Sequence, residues 1–159
     1  MPSRRDQIKM SDEEIAAFLA EGKTANFATI GPNGRPHLVA LWYVPHGSGA
    51  GLTVETWTFA KSQKAANLGR LPQATILVET GDSYDKLRGV SMECDVELVT
   101  DVERITTIGQ QLMHRYSESP EIATEASQFV RLQAPKRVGL VCRPTRIVSW
   151  DHSKLAGTY

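Results

Sequence analysis

The chain has 159 residues, 41% of them hydrophobic, and its eighteen lysines and arginines are balanced by eighteen aspartates and glutamates. That length suits one domain with one sizeable core, built without metal or disulfide support. The cancelled charge excludes a global field that would draw the protein to nucleic acid or to an anionic membrane, so any anion binding must be local.

Residues 1–10 are polar and charged and are expected to form a flexible arm ahead of a single domain over residues 11–159. That opening lacks the apolar stretch of a secretory leader. No apolar run approaches the roughly 20 residues of a membrane span, so the expected location is the cytoplasm. Ser11-Asp12-Glu13-Glu14 reads as a capping box, and Ile15, Phe18 and Leu19 recur at helical spacing, which predicts a short helix to about Gly22. Residues 25–30 and 36–44 are strand-like and are joined by Gly31-Pro32-Asn33-Gly34, whose Asn-Gly pair favours a tight hairpin turn. A Gly-rich loop over 45–51 leads to a third strand over 52–59.

The stretch from Thr56 to Leu68 carries the strongest chemical signal. A β-rich run ends there in a hydroxyl, two lysines and a helix start. With Ser62 as N-cap, the next backbone N–H groups and the positive end of the helix dipole point outward, and Lys61 and Lys64 add two full charges beside them. That combination suits a phosphate. A fourth strand covers 73–80. Val90, Met92, Cys94, Val96 and Leu98 alternate with Ser91, Glu93, Asp95 and Glu97, which describes a long strand with one buried and one wet face. Helices are expected from Asp101 and from Pro120, then a strand over 137–148 interrupted at Pro144, and a polar, aromatic tail from Trp150 to Leu155. Cys94 and Cys142 fall on apolar faces of predicted strands and read as small buried hydrophobes.

Strands joined mainly by hairpins argue for a mainly β (α+β) fold, a closed antiparallel barrel with flanking helices. Other signatures are missing. No Gly-x-Gly-x-x-Gly follows a strand, no Gly-x-x-x-x-Gly-Lys-Ser/Thr loop is present, and no Gly-x-Ser-x-Gly elbow occurs. The four histidines, His37, His46, His114 and His152, lack zinc-site spacing, so no metal is expected.

The order of segments then matters: a helix, the Asn-Gly hairpin, Gly34-Arg35-Pro36-His37 running into Trp42-Tyr43, and Thr58-x-x-x-Ser62-x-Lys64 opening a helix with Asn67-Leu68. It resembles the pyridoxamine 5'-phosphate oxidase-like, FMN-binding split β-barrel family over roughly residues 11–155. Within that family it is most similar to the actinobacterial branch that uses the deazaflavin coenzyme F-420, on Lys61-Ser62-Gln63-Lys64-Ala65-x-Asn67-Leu68 and Ser149-Trp150-Asp151-His152-x-Lys154-Leu155.

The resemblance implies a six-stranded antiparallel split β-barrel and a homodimer, with cofactor sites in grooves at the subunit interface. It implies that Thr58, Ser62 and Lys64 hold the cofactor phosphate with Lys61 adding charge, and that Leu41, Trp42 and Tyr43 lie along the ring system. Trp42 shares parity with Leu38, Ala40 and Val44, so it is either a core aromatic or a ring-facing one. Trp150 and Lys154 either reach the partner's groove or anchor the interface. The Ser-Arg-Lys phosphate triplet of related FMN-dependent oxidases is Ser62-Gln63-Lys64 here, one guanidinium short. A deazaflavin tail would favour dispersed positive charge, with Lys61, Lys86 and Arg88 as candidates. The implied function is F-420-dependent hydride transfer to or from a small organic substrate. His37, Tyr43 or solvent would supply a proton, and no catalytic residue is assigned. A non-catalytic F-420 carrier and an FMN-binding flavoprotein are the alternatives.

Overall fold

The computed structural model describes residues 1–157; Thr158 and Tyr159, the end of the expected domain, lie outside the described residues. In chain order the elements are α1 (Arg4–Ile8), α2 (Asp12–Glu21), β1 (Ala25–Ile30), β2 (Pro36–Leu41), β3 (Val44–His46), β4 (Thr53–Phe59), α3 (Gln63–Arg70), β5 (Gln73–Thr80), β6 (Arg88–Val99), α4 (Val102–Tyr116), α5 (Pro120–Gln133) and β7 (Arg137–Asp151). All strand pairs are antiparallel, in the order β2-β1-β5-β6-β7-β4-β3.

Seven strands stand where six are expected, because the run 36–44 breaks at Trp42-Tyr43. The first part pairs with β1 and the second with β4. The two ends of the sheet are thus consecutive pieces of one chain, two residues apart, and this curls the sheet into a split barrel. The β1–β2 turn forms as its sequence dictates. Gly34 takes a φ of 78°, and the Asn33 side chain accepts from the Arg35 N–H at 3.1 Å.

The long alternating strand is β6. Val90, Met92, Cys94 and Val96 point into a core with Phe27, Ile76, Val78 and Leu140, while Glu93, Asp95 and Glu97 face outward. Its pairing with β7 slips between Glu93 and Cys94, where Pro144 lies opposite and has no N–H to give the ladder. A second apolar cluster joins Ile108 and Leu112 of α4 to Val44 and Val141 on the sheet's other face. No helix among the described residues is long and apolar enough to cross a membrane.

Residues 1–10, expected as a loose arm, carry the short helix α1 under a Ser3/Asp6 capping box. Behind it, Met10 is buried and its N–H donates to the Ser149 hydroxyl at 3.1 Å. The strand expected to stop at 148 runs on to Asp151, pairing Trp150 with Gly89.

Candidate functional site

The β4–α3 junction is built by its own local chemistry. After Phe59 the chain turns, with the Ser62 N–H on the Phe59 carbonyl at 2.9 Å, and Ser62 becomes the N-cap of α3. Its hydroxyl accepts from the Ala65 N–H and from the Thr58 hydroxyl, both at 3.2 Å. The N–H groups opening the helix, on Gln63 and Lys64, have no intrahelical acceptor and face outward with the helix dipole. Lys64 is half-buried, and burial pulls its pKa below the ordinary lysine value of 10.5. Lys61 is exposed. Among the described residues neither ammonium has an anionic partner. Thr58 and Ser62 are therefore joined at the start of α3, with Lys61 just before the cap and Lys64 at the second helical position.

What holds this surface in place lies underneath it. Asn67 is fully buried; its amide donates to the Thr29 hydroxyl at 3.0 Å and its carbonyl accepts from the Gln63 amide at 2.8 Å. Gln63 is thereby turned back along its own helix. The Leu68 side chain seals the apolar side.

Two residues back along β4, Thr56 and Trp57 join Leu41, Trp42, Leu112 and Met113 around a cleft of about 190 Å³. None of these six side chains titrates. Trp42 is 50% exposed on the same outer face as Leu38, which resolves its open assignment away from the core. It stacks on Tyr116 at 4.5 Å with planes 6° apart, and its carbonyl accepts from the Thr56 hydroxyl at 2.7 Å.

Tyr43 does not join them. Its side chain follows the parity of Val39 and Leu41 inward, where it is fully buried and donates to the Leu19 carbonyl at 2.6 Å. Its own N–H is taken by the Tyr116 hydroxyl at 3.1 Å. Burial pushes the Tyr43 phenol up to about 12. Its side chain belongs to the core and does not line the cleft. His37 lies at the hairpin end of β2, opposite Thr29, with a buried Nδ1 that has no partner among the described residues.

Trp150 and Lys154 lie at the far end of β7 from the β4–α3 junction, which pairs with its start. The Trp150 ring lies across Gly89, where an added Cβ would come within 2.1 Å of it. Lys154 bonds the Glu14 carboxylate at 2.6 Å and the Lys9 carbonyl at 2.9 Å. Within one chain neither is brought to the start of α3. Lys86 and Arg88 border a different cleft of about 760 Å³, which also carries Asp82, Asp85 and Asp151. Three carboxylates against two cations do not make a positive groove.

The sequence reading missed Trp57, Tyr116 and Arg137. Trp57 and Phe59 share a parity on β4 that signals a common face, but nothing local announces that Arg137, from β7, lies across both rings at 4.3 and 4.1 Å.

A curled antiparallel barrel with a capped, lysine-bearing helix start at the end of a strand defines a split-barrel protein of the pyridoxamine 5'-phosphate oxidase-like class. Residues 11–151 match the sequence profile of the pyridoxamine 5'-phosphate oxidase family, and the chain belongs to that family. Among solved structures it is 39% identical to a conserved hypothetical protein, Rv2991, from Mycobacterium tuberculosis, over 99% of this chain and 95% of that one, with a TM-score of 0.86. An F-420 reductase is 24% identical over 82% of this chain and 93% of that one, at a TM-score of 0.60. A FAD-binding protein from Mesorhizobium loti is 15% identical over 89% of this chain and 94% of that one, at 0.59. The last two likenesses show the fold alone. A search of curated proteins gave no match.

Proposed function

We propose that the chain is an oxidoreductase that binds coenzyme F-420 and carries out hydride transfer to or from a small organic molecule. The observation that supports this reading is the succession of two features along one stretch of chain. An apolar, Trp-walled cleft at Leu41, Trp42 and Trp57 is followed, at the end of β4, by the helix start with Thr58, Lys61, Ser62 and Lys64, whose ammonium groups have no anionic partner among the described residues. A phosphorylated ligand with a flat ring system needs both.

The residues fit such a group. Ser62, the open N–H groups of α3 and Lys64 would hold its phosphate, and Leu41, Trp42 and Trp57 its ring. When bound, the deazaflavin supplies the hydride. The chain then has three tasks: to orient the ring, to keep water from it, and to leave a face open to substrate. Among the described residues no titratable side chain borders the cleft, and Tyr43 is withdrawn, so a net reduction would take its proton from solvent. The same absence favours a second reading, in which the protein carries the coenzyme without turnover.

F-420 is preferred to FMN because the Gln63 amide is committed to Asn67, which leaves lysines alone to meet the phosphate from α3. A phosphodiester monoanion asks less charge than a phosphomonoester. We also read the protein as a homodimer. Leu38 and Phe59, 65% and 51% exposed, continue the Trp42 surface as an apolar face suited to a second copy, which would complete the walls of the cleft. Titration of the purified protein with F-420 and separately with FMN, followed by intrinsic fluorescence, tests the cofactor. Tighter binding of FMN, or of neither, refutes the proposal. Turnover with an artificial acceptor then distinguishes an enzyme from a carrier.

A further inference from the structure

Glu55, on β4, is the one buried carboxylate among the described residues. It lies opposite Val44 in the β3 register, which sets it on the same face of the sheet as His46. The Arg104 guanidinium, from α4, pairs with one of its oxygens, and His46 Nε2 stands 3.3 Å from the other. A carboxylate repels a nitrogen lone pair, so Nε2 carries the ring hydrogen and a neutral His46 presents Nδ1 as an acceptor. Among the described residues nothing bonds that Nδ1.

His46 lines a cleft of about 520 Å³ that β3 forms with α4 and the end of α2. Ala20, Val44 and Pro45 give the cleft an apolar lining, and Gln111 and His114 add a polar stripe from α4. It shares no lining residue with the Trp42 cleft. The Gln111 amide has no partner at either end among the described residues, and its oxygen is buried. An amide left unbonded is free to turn its N–H groups or its carbonyl to a ligand, and a buried polar atom without a partner costs stability until something meets it. The full charges beside the cleft are already met. Glu55 is held by Arg104, and the Arg115 fork donates to the Leu19, Ala20 and Gly22 carbonyls at the negative end of α2. Neither an anion nor a cation would find an uncompensated charge there.

We propose that this cleft is a second binding site, for a small uncharged molecule that joins an apolar ring to an amide. The ring lies on the Ala20, Val44 and Pro45 lining, and the amide N–H and C=O groups meet the Gln111 amide and His46 Nδ1. Glu55 and Arg104 act behind His46 as positioning residues, fixing which ring nitrogen carries the hydrogen. The inference rests on this cleft alone and is independent of the coenzyme reading. If Gln111 were an ordinary residue of the helix surface, its replacement would leave the affinity for such a molecule unchanged.

The test is a titration of the full chain with benzamide at mildly alkaline pH, read by proton NMR of the imidazole C–H signals. Only four histidines contribute these signals, and single His→Phe variants assign them. Wild type is expected to show saturable shifts at His46 and His114, with His37 and His152 unmoved. Benzoate, the same ring carrying a charge, should bind more weakly, because the cleft has no free cation to offset its desolvation. Gln111→Leu should weaken benzamide roughly three- to tenfold, the range for a hydrogen bond between neutral groups. Ala20 is exposed near the end of α2, so Ala20→Phe preserves folding, and by filling the cleft it should abolish the shifts. The proposal is overturned by a wild type whose His46 signal does not respond to benzamide, by benzoate binding as tightly, or by unchanged affinity in Gln111→Leu. If Gln111→Leu does not fold, unchanged shifts in Ala20→Phe overturn it instead.

Discussion

Replacing Lys64 by alanine separates a phosphate seat from an ordinary capped helix, because the two accounts give opposite signs for stability and affinity. In the folded chain Lys64 stands at the second position of α3, against the positive end of the helix dipole, half-buried and without an anionic partner. Burial holds its pKa below 10.5, so the charged form is disfavoured by folding. The sign follows: the unfolded chain binds that proton more tightly, and the penalty is present at neutral pH and disappears as pH rises through the ordinary lysine value. Lys64→Ala should therefore keep or slightly raise the melting temperature at pH 7, and the difference should vanish above about pH 10.5. Affinity should move the other way. Loss of one charged hydrogen bond removes about 1.5–3 kcal/mol, which is roughly ten- to hundredfold in the F-420 dissociation constant. The remaining binding should respond less to salt. In wild type, affinity should fall with rising pH earlier than an exposed lysine would allow. Fluorescence titration beside a thermal melt reads both quantities. Tight F-420 binding by Lys64→Ala, or a clear loss of stability, refutes the reasoning.

Three further outcomes follow from the same geometry. Asn67→Ala leaves the buried Thr29 hydroxyl and the Gln63 amide without their partner, and should cost about 1–3 kcal/mol in denaturant unfolding and loosen F-420 binding with it; unchanged stability would show that the pair is not structural. Tyr43 stays protonated in the fold up to about 12 while the unfolded phenol titrates near 10, so stability should fall between those values, and Tyr43→Phe should blunt the fall when melts are compared across alkaline pH. Cys94, held up to about 12, and Cys142, held by burial well above the ordinary thiol value, are both buried, and neither should react with a thiol reagent until the protein is unfolded.

Local chemistry made much of this protein legible before any coordinates. The Asn33-Gly34 turn, the alternation from Val90 to Leu98 and the Ser62 cap each depend on residues close in sequence, and each stands as read. What sequence could not show is decided across distance. Seen alone, Trp42 and Tyr43 sit in one strand-like run of alternating parity. In the fold that run divides between β1 and β4, and which side of the alternation faces the core, with Trp42 outward and Tyr43 inward, is set by those distant partners. Arg137 was invisible for a related reason. Its meaning comes from lying opposite Phe59, seventy-eight residues earlier in the chain, a pairing that no local pattern encodes. The Gln63 side chain gave no hint that it would face Asn67 on its own helix instead of a ligand.

The closure of the barrel and the walls of the cleft share one joint, and this constrains how the site can change. Tyr116, at the end of α4, stacks on Trp42 while its hydroxyl accepts the Tyr43 N–H and stands 2.8 Å from the Lys23 carbonyl. The Arg115 guanidinium beside it lies 5.0 Å from the Tyr43 ring and donates to the Leu19 carbonyl at 3.0 Å. One end of α4 therefore holds together the break in the sheet, the end of α2 and the outward set of Trp42. A substitution that frees Tyr116 should disturb Trp42 before it unfolds the core, because the Trp42 face is half exposed and has little else to hold it. The β4–α3 junction, where the proposed phosphate site lies, hangs instead on Asn67 and Thr29. Ring orientation and phosphate affinity are thus supported by separate parts of the fold, so a Tyr116→Ala variant should lose fluorescence-detected ring binding while keeping its affinity for pyrophosphate.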